Sequence, residues 1–485
     1  MRKFNLLVVL FALLLASCAQ NKKNTLPNNA VKSEVIGRRA EVLFLGHTSK
    51  HHDAGKYAPW LAIKLFRSGI NMTYTTEVAD LNTENLSKYD GLIIYANHNV
   101  LSPDQEAAMK AFVEGGKGLI PLHSAAGCFL NSEWYIKTIG GQFASHGTGD
   151  FKNTILKPDH PVMKGISDFT TFDETYVHKN LNPDKLVLGE RIEGDHHEPY
   201  TWVRNEGKGR VFYTAYGHDD QTWTNIGFLD LVRNGVLWAI GDPVNDQIAA
   251  LNIPNPDIYD SDTIAAFTQR HVVKKLQDAL SPTESNKLTQ IPAGFEMQLF
   301  ASEPDIHNPI AMAWDERGRL WVVESVDYPN TFKETDGQAN DRIKICEDTD
   351  GDGKADKFTV FADNLNIPTS MVFSNGGIIV STAPDFVFMK DTNGDDVADI
   401  REVIITGWGK NDTHAGPSNL QYGFDNKIWG VNGYSGFNGT IDGQKWRFPQ
   451  GVYHFKPNGT EFSFLGNTSN NTWGLGFTED NNVFI

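Results

Sequence analysis

The stretch Gly118-Leu-Ile-Pro-Leu-His123-Ser-Ala-Ala-Gly127 runs an apolar strand into a histidine and then into small residues that let the chain bend and open a helix. A side chain placed there stands at the carboxyl end of a strand. Histidines close other apolar runs as well: Leu45-Gly-His47, Ala96-Asn-His98 and Gly209-Arg-Val-Phe-Tyr-Thr-Ala-Tyr-Gly-His218. Gln142-Phe-Ala-Ser-His146 adds an imidazole, and Phe172-Asp-Glu174-Thr-Tyr-Val-His178 adds a carboxylate and another imidazole. Any one of these is more simply a surface or capping histidine. As a set, drawn from 15 histidines, they are hard to explain by packing, because polar groups at strand ends are normally short turn formers. Imidazole titrates near neutrality and ligates metals, so the set predicts acid/base chemistry or a divalent metal.

The elements that must carry these residues are legible as alternating patterns. Strand-like runs recur at Glu41–Leu45, Ile70–Tyr74, Gly91–Tyr95 and Gly118–Leu122. Amphipathic helices lie between them, most clearly Ser102–Glu114, with Ser102 as N-cap, Pro103 in the first turn and Gly115-Gly116 beyond the end. A further helix is expected over Asn225–Ile240. Such alternation predicts an α/β domain over residues 38–242, its parallel sheet doubly wound and its functional crevice beyond the strands' carboxyl ends.

The chain start addresses the compartment. Met1-Arg-Lys, the apolar run Phe4–Ala16 and Leu15-Ala-Ser-Cys18 form a lipoprotein signal peptide over residues 1–17, with Cys18 as lipidation site and residues 18–37 as a polar tether. With no Asp after Cys18, an outer-membrane lipoprotein facing the periplasm or the cell surface is expected. The 485 residues carry a net charge of −17 and no long basic run, which argues against nucleic acid. Cys18, Cys128 and Cys346 are the cysteines, so no disulfide framework is expected after lipidation, and no Cys-x-x-Cys-His haem signature occurs.

Residues 243–290 read as a linker with a docking helix near Thr263–Leu280. From residue 291 to 485 the texture is all-β. One phrase, an aromatic, a polar turn and an apolar strand, returns at Trp314–Val322, Phe373–Val380, Phe424–Val431 and Phe477–Ile485. This recurrence predicts an incomplete β-propeller, with a stand-alone sandwich as the competing fold. Two Asp-rich loops fall in step with it. Asp348, Asp350, Asp352 and Asp356 match an EF-hand-type calcium loop with Gly353 at the turn, but Thr359 replaces the final Glu. The loop Asp391–Asp399 has Glu402 in that last place and Asp396 in place of the glycine. A solvated Asx hairpin competes with calcium at both.

On these residues the run Val42–Gly241 resembles the ThuA, or trehalose-utilisation, domain of the class I glutamine-amidotransferase-like superfamily. The resembling pieces are Leu122-His123-Ser-Ala, Asp173-Glu174-Thr175-Tyr176, Pro199-Tyr-Thr-Trp202 and Gly207-Lys-Gly-Arg-Val-Phe-Tyr-Thr-Ala-Tyr-Gly-His218. In that superfamily the elbow carries a cysteine. Here His123 stands there and Cys128 lies five residues on, so thiolate acyl transfer lacks its nucleophile. The resemblance implies a role in disaccharide or oxidised-sugar (3-keto-glycoside) utilisation, with His123, Glu174, His178 and His218 catalytic and His47, His146, Trp202 and Tyr213 binding substrate. One group would take a proton next to a carbonyl and another would protonate a leaving oxygen, with His123 and Glu174 in one pocket and Glu174 on a strand-end loop. A divalent metal using the same histidines is the other chemistry.

Ile291-Pro-Ala-Gly-Phe295, Ala301-Ser-Glu-Pro304 and Gly318-Arg-Leu-Trp-Val-Val-Glu324 resemble the N-terminal propeller of large exported bacterial proteins of the membrane-bound dehydrogenase type. His414 with Leu420 and Asp425 resembles the strand that carries the base of quinone-dependent sugar dehydrogenases, although its spacing is one residue longer. Two other readings therefore accompany the enzyme: a non-catalytic sugar-binding scaffold, and a fragment of a sugar dehydrogenase that works with a redox partner protein. The substrate class common to all three is carbohydrate.

Overall fold

The computed structural model of the protein describes residues 35–49, 51–260, 275–329, 339–469 and 471–485. The signal peptide, Cys18 and most of the tether lie outside the described residues, as does most of the expected Thr263–Leu280 helix. The chain forms two compact units, residues 1–252 and 253–485. No helix among the described residues is long and apolar enough to cross a membrane.

The first unit is built on an eight-stranded sheet. Its strands in chain order are β1 (Ala40–Gly46), β2 (Ile70–Thr75), β3 (Gly91–Tyr95), β4 (Gly118–Pro121), β5 (Gln142–Lys152), β6 (Thr154–Ile155), β7 (Thr170–Lys179), β8 (Leu186–Glu193), β9 (His196–Glu206) and β10 (Gly209–Thr214). The order across the sheet is β2-β1-β3-β4-β10-β9-β8-β6, while β5 and β7 pair separately as an antiparallel ribbon. Pairing is parallel from β2 through β10 and antiparallel from β10 outward. β3 and β4 are buried at every residue, as strands covered on both faces must be. The two covers are visible on β10. A Cβ on Gly209 would stand 2.1 Å from the Val113 carbonyl oxygen of the helix Pro103–Glu114. Phe212, three residues on and so on the opposite face, packs against Gly235 of the helix Ile226–Ile240. The sheet is doubly wound, and its strand order reverses between β1 and β3.

The expected helices form with their expected caps: Ser102 and Gln105 close a capping box, and Asn225 accepts from the Gly227 amide. Three differences have local causes. Asp242-Pro243 opens a helix, Asp242–Leu251, instead of ending the domain, because proline is tolerated in a first turn; the unit thus runs to Asn252. The segment His123–Gly127 is a short 3-10 turn, not the start of an α-helix, and Cys128 follows it in extended conformation. At the other join, Lys275–Gln277 is a strand paired with Ile258–Asp260, and the helix there is Pro282–Lys287.

The second unit is a series of antiparallel sheets. Three have four strands, starting at Pro309, Ser370 and Pro417, and the third carries an inserted hairpin, Phe437–Ile441 with Gln444–Phe448. Each repeated phrase seen in the sequence is the hairpin of the first two strands of a sheet. Both Asp-rich loops join a third strand to a fourth. Alternate residues of one strand feed two cores: Ile378 and Val380 pack with Trp321 and Ile345 of the first sheet, whereas Ile379 packs with Tyr453 and Phe455 of the third. Successive sheets thus pack face to face. Among the described residues they do not close into a ring.

One charged group ties the amino ends of the parallel strands. Asp90, immediately before β3, is buried and accepts two bonds from Arg38, at 2.7 and 2.9 Å, and one from Lys117 at 2.9 Å. It also accepts from the Glu41 amide at 3.1 Å. Burial works to raise the Asp90 carboxyl, but Arg38 and Lys117 outweigh it and hold it below its ordinary value. A depressed carboxyl stabilises the fold above its unfolded value of about 3.9, and the contribution is lost as pH falls toward the folded value. Asp90→Asn is expected to destabilise the first unit by about 2 kcal/mol at pH 7, since both cationic partners are partly exposed. Denaturant titrations should show the gap to wild type closing below about pH 4. A gap that does not vary with pH would sink this account.

Candidate functional site

The carboxyl ends of β4 and β10 lie side by side, with Leu122 bridged to Thr214. His123 follows at once in the left-handed region, φ +43°, a conformation that costs a non-glycine residue energy and persists only when its surroundings impose it. Here the Nδ1 of His123 lies 2.7 Å from the Ala215 carbonyl oxygen. A carbonyl only accepts, so Nδ1 carries a proton there, and Nε2 is turned toward Glu174. Gly217, φ +135°, lets the chain turn past it, where a Cβ would stand 3.3 Å from the His123 Cβ.

Glu174 arrives from the ribbon and not from a loop: it sits within β7, opposite Thr148 of β5. Its Oε2 is 3.3 Å from His123 Nε2, and its Oε1 is 3.4 Å from His218 Nδ1 and 3.3 Å from His146 Nδ1. The neighbouring Asp173 fixes the His218 loop, its carboxylate accepting from the amides of Gly217 (2.8 Å), His218 (2.9 Å) and Asp219 (3.2 Å) and from the Thr222 hydroxyl (2.8 Å). The fourth member is His52, from the loop after β1. Ser49 Oγ accepts from the His51 and His52 amides and turns the loop inward, so that the His52 ring lies 5.2 Å from His123 and 5.1 Å from His218 between centroids. Donor atoms of His52, His123, Glu174 and His218 all fall within 4.8 Å of one another.

Burial works to raise the Glu174 carboxyl; His123, His218 and His146 outweigh it and keep it low, so Glu174 is an anion. The imidazoles move the other way. His52 is pushed down to about 3, first by burial and then by His123 and His218. His218 is lowered by burial, against the pull of Glu174. The centre therefore sets an anionic carboxylate beside imidazoles of which His52 and His218 are held toward the neutral form, a donor set that could take a proton or hold a divalent cation. Tyr176 stacks on His123 at 4.2 Å, walling one side. His146, about 40% exposed at its side chain, stands on the solvent side.

The structure thus brings together His123, Glu174, His218 and His146 and sets the other expected residues apart. His178 is buried, with Nδ1 2.8 Å from Glu198 and Nε2 3.1 Å from the Tyr213 hydroxyl; both nitrogens are occupied, and burial lowers its pKa. It positions Tyr213, whose hydroxyl lies 3.2 Å from the His123 carbonyl oxygen. Tyr213 and Trp202 are fully buried and stacked on each other at 4.2 Å, with the Trp202 indole donating to the Ile139 carbonyl, so their place is under the site and not against a substrate. His47 pairs with Asn97 at 2.7 Å and with the His98 ring. The buried Cys128 thiol is pushed above its ordinary value, which removes it as a nucleophile.

In the second unit Asp348, Asp350 and Asp356 come together, but Asp352 does not join them. Their carboxylates accept from the loop's own amides, Gly351 and Gly353 to Asp348 and Thr349 to Asp356, and the second loop repeats the pattern with Asp391 and Asp399. These are the bonds of an Asx turn. His414 is exposed and sits 2.5 Å from Asp412.

His52, Asp173 and Tyr176 carry weight that the sequence pattern did not assign. The His51-His52 doublet before the N-cap Asp53 was a signal, but only the inward turn at Ser49 separates it from a surface loop.

No curated protein matches the sequence. Residues 281–485 match a domain of unknown function, DUF7133. Among solved structures, a ThuA-like protein from Bacteroides uniformis is 21% identical, with a TM-score of 0.36, over 44% of this chain and 94% of its own. One from Parabacteroides merdae is 16% identical, with a TM-score of 0.37, over 42% and 90%. The model of the family described as trehalose utilisation, ThuA, matches residues 41–239, which span the strand ends and every residue of the His/Glu cluster, and the first unit of this chain is a ThuA domain.

Proposed function

We propose that the first unit is an enzyme of carbohydrate utilisation that acts on disaccharides or oxidised (3-keto) glycosides by acid/base chemistry. The observation that supports this most directly is one anionic carboxylate, Glu174, within 3.4 Å of three imidazoles at the strand ends of a ThuA domain. In a 3-keto glycoside the hydrogen next to the carbonyl is acidic. Glu174 takes that proton, the electron pair forms a carbon–carbon double bond as the glycosidic C–O bond breaks, and His146 on the solvent side gives a proton to the leaving oxygen. His178, Tyr213 and Trp202 act by holding the His123 turn.

The face-to-face sheets of the second unit support its reading as blades of a propeller. The start of the sequence supports an outer-membrane lipoprotein anchored through Cys18.

Incubation with 3-keto-glycosides should yield the released sugar or aglycone, and Glu174→Gln should lower kcat by about 10²-fold or more with an unchanged circular dichroism spectrum. Turnover that survives in Glu174→Gln removes this reading. Fractionation of cells provides the second check: Cys18→Ala is expected to move the protein from membrane to soluble fractions, and wild-type membrane retention places the anchor elsewhere.

A further inference from the structure

The site leaves buried ring nitrogens without partners. His123 turns Nδ1 to the Ala215 carbonyl, which leaves Nε2 directed at the Glu174 carboxylate 3.3 Å away. Among the described residues, His123 Nε2, His218 Nδ1 and both ring nitrogens of His52 are buried without a hydrogen-bond partner. Buried polar atoms are nearly always paired, yet unpartnered nitrogens of three rings gather with one carboxylate here. A cation would engage one ring nitrogen of each histidine and the carboxylate together.

The spacing fits one. Donors of a four-coordinate zinc, with bonds of about 2.0 Å, stand about 3.3 Å apart. His123 Nε2 lies 3.3 Å from one Glu174 oxygen and His218 Nδ1 3.4 Å from the other, and with one ligand atom per residue no pair in the set exceeds 4.8 Å. The second shell is present too. Ala215 orients His123, and Asp173 pins the His218 backbone.

We propose that His52, His123, His218 and one oxygen of Glu174 bind a single first-row divalent metal ion, zinc by ligand type, at the carboxyl ends of β1, β4 and β10. The inference rests on the proposed sugar chemistry only for its use: a sugar carbonyl oxygen reaching the ion from the His146 side would enter as a fifth ligand. The free carboxylate oxygen remains available for the proton.

The test uses untagged full-length protein, stripped with chelator and titrated with Zn²⁺. Elemental analysis after dialysis should give about one zinc per chain, and zinc should raise the melting temperature. His52→Ala and His218→Ala should each weaken zinc binding by at least about 100-fold. Asp348→Asn with Asp350→Asn should leave the stoichiometry unchanged. X-ray absorption of zinc-loaded wild type does not depend on variants folding; it should show imidazole scatterers at about 2.0–2.1 Å. An all-oxygen shell, or binding indifferent to the His52 and His218 substitutions, overturns the proposal. Zinc bound as described without sugar turnover would count against the proposed function and leave the metal site standing. Turnover in fully stripped protein would do the reverse.

Discussion

The meeting of Glu174 with buried imidazoles is the constraint around which the first unit is arranged. A carboxylate taken out of water is costly unless charge or hydrogen bonds replace the lost hydration. The fold nevertheless commits backbone from four strand ends to this arrangement: β1 through the His52 loop, β3 through Tyr95, β4 through His123 and β10 through His218. Tyr95 and Trp223 both donate to the Gly217 carbonyl, each at 2.7 Å, so the His218 loop is held from below while Asp173 holds it from the side. Packing alone would have chosen aliphatic side chains here.

The ribbon β5–β7 matters for the same reason. A parallel sheet offers only its strand ends, and a carboxylate on one of those would point along the crevice with its neighbours. By lying apart from the main sheet, β7 delivers Glu174 from across the site, and its alternation places Glu174, Tyr176 and His178 on one face. Glu174 reaches the cluster, Tyr176 stacks on His123, and His178 reaches Tyr213 beneath it. One strand thus supplies a reacting group, a wall and a support.

That division explains what was legible in the sequence. Parallel strands, the capped helix Pro103–Glu114 and the repeated hairpins of the second unit are local patterns, and local patterns survive in a one-dimensional reading. His123, His146, Glu174 and His218 were found because each sits in or beside an apolar run. His178 and Glu174 look alike in that respect, four residues apart on one strand, yet Glu198 and Tyr213, which occupy His178, come from strands far along the chain. Trp202 and Tyr213 belong to a motif that marks the domain but packs inside it. His52 was hidden for the opposite reason, since a polar loop carries no periodicity and its inward turn rests on one serine hydroxyl. The helix after Asp242 was missed because Pro243 stops helices everywhere except at their start.

Strain at His123 gives the last step. In a nucleophile elbow a strained residue is tolerated because it thrusts a reactive side chain out at the top of the sheet. The same backbone here thrusts an imidazole inward, with its side chain fully enclosed and its ring stacked on Tyr176. A glycine would adopt φ +43° at lower cost and would leave no unpartnered nitrogen in a buried site. The cost is met by the Ala215 and Tyr213 contacts, which fix the ring's tautomer and height. Both the strain and its restraints thus serve to hold Nε2 at one place, facing Glu174, which a histidine retained only for packing would not require.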